Sequence, residues 1–153
     1  MIVVDASLAT KWFRKEQDAD QALAFLARHR GRLCGPDLLY TEVAGAIVRQ
    51  ANVGEKSLKE VHEDLKSWAH AWHELLVRPF RMTARWLEKA GGLAIELGHP
   101  LPDCVYLALA IELDCDLATC DDKFRAKAGR LYPRVKALAE YAEGSMSSPS
   151  SRH

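Results

Sequence analysis

The sequence predicts an α/β fold in three layers, with a central parallel sheet flanked by helices. The segment Ile2-Val3-Val4 is a continuous apolar run, which is typical of a strand buried on both faces of a parallel sheet. Short apolar segments of this kind alternate with longer segments of helical pattern along the chain. The 153 residues, 48% hydrophobic and 27% charged, suit one domain with a substantial core.

The segments after the first strand have a helical pattern. Ser7 is predicted to be the N-cap of a short helix that includes Trp12 and Phe13. Both rings are expected to lie in the core, because this helix packs close to the first strand. A second helix is predicted over 19–29 and a weak second strand over 32–34.

Two helices are predicted in the middle of the chain. The first covers 36–52 and begins with a proline, which suits the first turn of a helix. The second begins at Ser57, which has the spacing of a capping box with Glu60. Its apolar residues repeat every three or four positions and form one narrow seam: Leu58, Val61, Leu65, Trp68, Trp72 and Leu75. The pattern leaves open whether Trp68 and Trp72 belong to the core or to an interface with a partner.

The same alternation continues to the C-terminus. A third strand is predicted over 75–80, a helix over 83–97 and a break at 98–100. The most apolar helix of the chain then extends from Pro102 to residue 113. The remaining predicted elements are a strand over 117–119, a short basic helix from residue 123 and a strand near Val135.

Composition limits the domain organisation and the class of function. One domain is expected over 1–143, followed by a disordered Ser-rich tail over 144–153. The 21 basic and 21 acidic residues cancel, which excludes a globally basic nucleic-acid binder but not a local basic patch. The four cysteines form no CxxC pair and the N-terminus lacks the basic region of a signal peptide, so we expect a cytoplasmic protein. No apolar run approaches the ~18 residues of a membrane span.

Four acidic residues are candidates for a functional site. Ligands of open α/β sheets bind at the carboxyl ends of the strands. Asp5 directly follows the first predicted strand, and Asp121 follows the fourth. Asp103 lies at the start of the most apolar helix, and Glu42 borders the apolar face of its own helix. We therefore expect the four carboxylates to converge.

Each of these residues also has a simpler interpretation. Asp5 and Asp121 suit helix N-caps. Asp103 suits the positive end of a helix dipole, and Glu42 suits an ion pair with Arg49. As a set, however, converging carboxylates repel one another unless they are protonated, paired with cations or bound to a metal ion. Hard oxygen ligands suit Mg²⁺ or Mn²⁺, so the set indicates a metal site that can act on a phosphoryl group.

Four segments carry a resemblance to a known family. In chain order they are VVDAS, PDLLYTEVAGAI, LPDCVYLALA and LATCDDKF. Together they resemble the PIN-domain nucleases, and most of all the VapC toxins of bacterial and archaeal toxin–antitoxin pairs, over about residues 2–140. The resemblance implies a PIN-like (Rossmann-like) fold and Mg²⁺- or Mn²⁺-dependent hydrolysis of RNA phosphodiesters in tRNA or ribosomal RNA.

The resemblance also implies residue roles and partners. The catalytic and metal-binding set is Asp5, Glu42, Asp103 and Asp121. Ser7 and Thr119 match small hydroxyl positions that orient these carboxylates. Asp122 is placed outside the ligand set, because the family pattern T-x-D selects Asp121. Members commonly form homodimers, and a cognate VapB antitoxin inserts a C-terminal segment into the active-site groove.

Two other functions remain open on the residues alone. A PIN-like fold that had lost catalysis would serve as a scaffold for RNA or protein. A phospho-accepting receiver domain shares the doubly wound architecture, but the late Lys136 has no supporting pattern and VVDAS supplies a single acid. For RNA binding, the local basic candidates are Arg14, Lys15, Arg49, Lys123, Arg125 and Lys127. A solvated helix face explains these basic residues equally well.

Overall fold

The computed structural model describes residues 1–15 and 18–146, with the backbone alone for 143–146. Five parallel strands form one sheet: β1 (Ile2–Val4), β2 (Leu33–Pro36), β3 (Arg78–Phe80), β4 (Asp116–Thr119) and β5 (Val135–Ala137). The helices are α1 (Ala6–Ala9), α2 (Ala19–Arg28), α3 (Leu38–Asn52), α4 (Leu58–His73), α5 (Ala84–Leu97), α6 (Leu101–Leu113), α7 (Asp122–Leu131) and α8 (Leu138–Met146). The predicted α/β fold with a central parallel sheet is confirmed.

The order of the strands places a switch point beside β1. The sheet has the order β3-β2-β1-β4-β5. Strands β2 and β3 therefore lie on one side of β1, and β4 and β5 lie on the other. Ile2 of β1 lies opposite Leu33 of β2 on one side and Asp116 of β4 on the other. The carboxyl ends of β1 and β4 therefore flank the crevice in which open α/β sheets bind ligands.

The most buried helix of the fold is α6. Its residues 104–110 are all buried, and it packs against β1, β2 and β4. A helix that is apolar on every side is stable only inside the protein, as the sequence predicted for this segment. Because Asp103 lies in the first turn of α6, the packing of this helix also determines where that carboxylate lies.

The first helix begins two residues earlier than predicted. Asp5 is the N-cap of α1, and its Oδ1 accepts a hydrogen bond from the backbone N–H of Leu8 at 3.1 Å. Ser7 lies within the first turn, so its prediction as the N-cap is wrong. An Asp is as good an N-cap as a Ser. Asp5 directly follows the last residue of β1 and is also the N-cap of α1. The predicted single helix is α1 followed by a 3-10 helix, Thr10–Phe13.

The apolar seam of α4 belongs partly to the core and partly to the surface. Trp68 is buried, and its ring stacks on that of Tyr40 with 4.7 Å between centroids. Trp12 and Phe13 pack against the same indole, at 6.2 and 5.7 Å, and so lie in or against the core as predicted. Trp72 also lies on the Tyr40 ring but remains 46% exposed.

Two predicted boundaries differ from the structure. The third strand begins at Arg78 rather than at Leu75, because Leu75 has a positive φ of 52° that a strand does not accommodate. Helix α3 begins at Leu38, because Pro36 is the last residue of β2 and pairs with Phe80 of β3.

The last helix extends into the segment that the sequence assigned to the tail. Residues 144–146 have helical backbone as the end of α8, and the rest of the predicted tail lies outside the described residues. Along the described part of the chain, no helix is both long and apolar enough to cross a membrane.

Candidate metal site

Asp5 is a buried carboxylate at the carboxyl end of β1. Its side chain accepts three hydrogen bonds while the residue is only 2% exposed. Oδ1 accepts from the Ser7 hydroxyl at 2.7 Å and from the N–H of Leu8. Oδ2 accepts from the Thr119 hydroxyl at 2.5 Å. Because each carboxylate oxygen has two acceptor positions, one position on Oδ2 is left for a further ligand.

Burial dominates the ionisation of Asp5. It raises the pKa of the carboxyl from 3.8 to about 6, although the hydrogen bonds from Thr119, Ser7 and Leu8 act in the opposite direction. The negative charge of Asp103 raises the pKa further. An ionised group in these surroundings is stabilised by any positive ligand that reaches it.

The two hydroxyls that hold Asp5 join the ends of β1 and β4. The Ser7 hydroxyl accepts the backbone N–H of Cys120 at 2.9 Å, and the Thr119 hydroxyl accepts the N–H of Asp121 at 3.0 Å. Each hydroxyl therefore donates to Asp5 and accepts from the chain that follows β4. This arrangement supports the orienting role predicted for Ser7 and Thr119.

Glu42 is held by a buried tyrosine. Its Oε1 accepts a hydrogen bond of 2.6 Å from the hydroxyl of Tyr106, which lies on α6 one turn after Asp103. Burial raises the pKa of Glu42, the bond from Tyr106 lowers it, and the negative charge of Asp103 raises it. Tyr106 is itself buried, and its burial and the nearby carboxylates raise the pKa of its hydroxyl. The hydroxyl therefore keeps the proton that it donates to Glu42.

His99, Asp103 and Asp121 form a group of close ligand atoms. One ligand atom from each residue lies within 4.8 Å of the other two. Within the group, His99 Nε2 lies 2.6 Å from Asp103 Oδ2. Gly98 ends α5 in the left-handed conformation at a φ of 60°, and the N–H of His99 returns to the carbonyl of Ala94 at 3.1 Å. This Schellman turn determines how His99 approaches α6.

Asp121 and Asp122 have different surroundings. Asp121 is the N-cap of α7, and its Oδ1 accepts the N–H of Phe124 at 2.9 Å. The side chain of Asp122 is 86% exposed and lies 3.3 Å from Arg125. The geometry therefore supports the choice of Asp121 as the candidate ligand, and it places Asp122 in solvent.

The predicted acids share one edge of the sheet but have different contacts. Asp103 and Asp121 belong to the close group, whereas Asp5 and Glu42 each have their own donors. The charge of Asp103 nevertheless acts on both Asp5 and Glu42. Asp103 is thus the central carboxylate of the site.

Sequence reasoning missed two residues that contact the acids. They are His99, beside Asp103, and Tyr106, beside Glu42. Both lie close to Asp103 in sequence, four residues before it and three after it. For Tyr106 the spacing was an available signal, because residues three apart on α6 lie near one face of the helix. His99 precedes α6, so helical spacing gave no signal for it.

The donor set fits a hard divalent cation. Asp5, Asp103 and Asp121 each have carboxylate acceptor capacity beyond the contacts described above, and such oxygens are the ligands that Mg²⁺ and Mn²⁺ prefer. A cation at this edge would also offset the repulsion and the burial that raise the pKa of Asp5 and Glu42.

A cleft of about 390 Å³ opens beside Glu42. Of the four candidate acids, Glu42 lines it, together with Ser7, Lys11 and Arg14. The volume lies within the range of small-ligand sites. Arg14 is one of the predicted basic candidates, whereas Lys11 was not predicted. Three more of the predicted candidates have polar contacts elsewhere: Lys15 with Glu60, Arg125 with Asp122 and Lys127 with the carbonyl of Gly98.

Comparisons with known proteins agree with this architecture. The search of curated proteins gave no match. The crystal structure of VapC20 from Mycobacterium tuberculosis, a sarcin–ricin-loop-cleaving toxin, aligns with a TM-score of 0.63 at 14% identity. The alignment covers 78% of this chain and 88% of that one, and at this identity the likeness is one of fold. The family model of the PIN domain matches residues 2–130, which include all four acids. The chain therefore belongs to the PIN domain family.

Proposed function

We propose that the protein is a metal-dependent endoribonuclease that acts as the toxin of a toxin–antitoxin pair. The observation that carries this proposal is the convergence of carboxylates at the switch point of a PIN-domain sheet. A buried Asp5 with a raised pKa destabilises the folded protein unless a ligand compensates its charge. Such a cost is typical of a functional site.

The chain's own residues hold and orient the site. Asp103 and Asp121 are the two acids of the close ligand group. Asp5 Oδ2 accepts one hydrogen bond, from Thr119, which leaves its second acceptor position for the ion. Glu42 lines the cleft with one oxygen fixed by Tyr106, which leaves its second oxygen for the ion or for a water molecule. A bound Mg²⁺ or Mn²⁺ supplies Lewis-acid polarisation of the phosphoryl group and a bound water of lowered pKa.

The cleft combines the carboxylate of Glu42 with two basic side chains. Lys11 and Arg14 lie on its wall and suit contacts to the phosphates of an RNA strand beside the cleaved bond. Lys11 also pairs with Asp18 at 3.0 Å, so it is held near the cleft. Contacts of this kind predict an RNA affinity that falls as the salt concentration rises.

The family and the structural likeness support a proposal for the substrate class and the partners. VapC20 cleaves the sarcin–ricin loop, and we propose an RNA substrate of the tRNA or ribosomal RNA class for this chain. We also propose a VapB-type antitoxin as its partner, a homodimer as its assembly and the cytoplasm as its compartment.

The direct test is cleavage of total cellular RNA by the purified protein, with Mg²⁺, Mn²⁺ or EDTA. We expect discrete fragments that require the metal ion and that disappear with Asp5→Asn. Asp121→Asn and Asp122→Asn form a matched pair, because the two residues are adjacent and only Asp121 belongs to the close ligand group. Asp121→Asn should reduce cleavage at least tenfold, and Asp122→Asn should leave it nearly unchanged.

Two outcomes would contradict the proposal. A folded protein that is free of antitoxin and cleaves none of these RNAs would favour the catalytically inactive scaffold. A larger loss with Asp122→Asn than with Asp121→Asn would show that the candidate ligand set is wrong.

A further inference from the structure

The side chain of His99 is nearly buried, and its one polar contact among the described residues is to a candidate metal ligand. Its side chain is 7% exposed, and its Nε2 lies 2.6 Å from Asp103 Oδ2. The other ring nitrogen, Nδ1, is buried and has no hydrogen-bond partner among the described residues. The residue precedes α6, outside the helix that carries Asp103.

These contacts specify where the imidazole carries its proton. A carboxylate oxygen accepts hydrogen bonds, so the 2.6 Å contact requires a proton on Nε2. A proton on Nδ1 would be a buried donor without an acceptor, which costs more than an unused lone pair. The structure therefore favours the tautomer in which Nε2–H donates to Asp103.

The same ring also contacts the support of the second candidate ligand. His99 packs against the ring of Phe124 with 4.9 Å between centroids. The backbone N–H of Phe124 is the group that holds Asp121 Oδ1. One imidazole thus contacts Asp103 by a hydrogen bond and Asp121 indirectly, through Phe124, whose N–H donates to Asp121.

We propose that His99 is a positioning residue that orients Asp103, and through Phe124 also Asp121, for binding of the divalent ion. The proposal rests on the proposed function, since it concerns the same ion. Partners that hydrogen-bond to a ligating carboxylate determine which of its lone pairs face the metal, and their loss lowers affinity about 10- to 100-fold. His99 acts on the carboxylates and does not itself bind the ion.

The test measures Mn²⁺ affinity of the full chain by titration calorimetry, with no RNA present. His99→Leu removes the donor at similar volume, and we expect the Mn²⁺ Kd to rise about 10- to 100-fold. His99→Gln places an amide N–H near the position of Nε2, and we expect it to retain the affinity of the wild type within about threefold. Circular dichroism and the thermal midpoint report whether each variant is folded.

His70→Leu is the matched control. His70 also faces a carboxylate four residues on, Glu74 at 3.8 Å, but it is exposed on α4. Its loss should leave the Mn²⁺ affinity unchanged. An unchanged affinity in His99→Leu would overturn the proposal, and so would a loss in His99→Gln as large as that in His99→Leu, because the imidazole would then be a ligand.

A measurement on the wild type keeps the proposal testable if His99→Leu does not fold. Long-range ¹H–¹⁵N spectra of the histidine rings distinguish the two tautomers, and we expect His99 to carry its proton on Nε2. A proton on Nδ1 with Nε2 bare would overturn the proposal. Failure of the wild type to bind Mn²⁺ would contradict the proposed function as well, whereas an effect missing only in the variants would contradict the role of His99 alone.

Discussion

The Thr119 hydroxyl donates a 2.5 Å hydrogen bond to Asp5 Oδ2 across 114 positions of the sequence. It joins the last residue of β4 to the residue that follows β1. The same oxygen of Thr119 accepts the backbone N–H of Asp121. One buried hydroxyl therefore links two of the four candidate acids at the switch point of the sheet.

Thr119→Val should disable the site without unfolding the protein. Valine has nearly the same shape, but it neither donates to Asp5 nor accepts from Asp121. We expect metal affinity and cleavage to fall about 10- to 100-fold, as for other partners of ligating groups. Thr119→Ser is the control that restores the hydroxyl, and calorimetry with Mn²⁺ measures both. Full affinity in Thr119→Val would show that Ser7 and Leu8 suffice to orient Asp5.

Tyr106→Phe should weaken cleavage by leaving Glu42 without its donor. Glu42 is half-buried, and the bond from Tyr106 lowers its pKa, so the pKa should rise further above its ordinary value when the bond is lost. We expect about tenfold slower cleavage of the mapped RNA fragment. Tyr141→Phe removes a similar bond, to Asp116 at the start of β4, and should leave the rate unchanged. Equal rates in the two variants would argue against a catalytic task for Glu42.

Asp5→Asn should make the metal-free protein more stable near neutral pH. Burial raises the pKa of Asp5 from 3.8 to about 6, so ionisation above that pH destabilises the folded state. This difference between the two pKa values corresponds to as much as about 3 kcal/mol at neutral pH. The gain should be seen in urea unfolding with EDTA at about pH 7.5. It should be lost below about pH 4, where the carboxyl is protonated in both the folded and the unfolded state.

The control for this stability measurement is Asp122→Asn, since Asp122 is exposed and adjacent to the site. It should change the free energy of unfolding little at either pH. A less stable Asp5→Asn protein at neutral pH would mean that the hydrogen bonds to the carboxylate outweigh the cost of burying its charge.

Trp68→Ala should lower the free energy of unfolding more than Trp72→Ala does, because Trp68 is a core residue and Trp72 is partly exposed on α4. Trp68 is buried between Tyr40 and Trp12, and its loss should cost about 3–5 kcal/mol of unfolding free energy. Trp72 is 46% exposed, so its loss should cost clearly less. Urea unfolding gives the two values, and sedimentation of Trp72→Ala shows whether this ring contributes to self-association. Similar costs for the two variants would mean that Trp72 is as much a core residue as Trp68.

The elements that the sequence predicted well are those with a strong local pattern. The apolar run 2–4, the capping box of Ser57 and Glu60, and the apolar segment of α6 all appear where they were expected. The start of the third strand was predicted wrongly, because three apolar residues from 75 look like a strand while Leu75 in fact turns the chain at positive φ. Ser7 was assigned the cap because Ser and Asp are nearly equal N-caps, and local preference does not rank them.

The sequence by itself determined that this protein is an α/β domain with acids at the ends of its strands, because residue periodicity and strand-end position are local properties. It also carried the family resemblance that the PIN-domain match confirms. Only the tertiary structure decided which donor holds each acid: Thr119 for Asp5, Tyr106 for Glu42 and His99 for Asp103. The first two bonds span 114 and 64 positions, and such pairs meet only after the sheet has formed and α6 has packed against it. The third is close in sequence, yet it depends on the left-handed turn at Gly98 and on the ring of Phe124 behind His99.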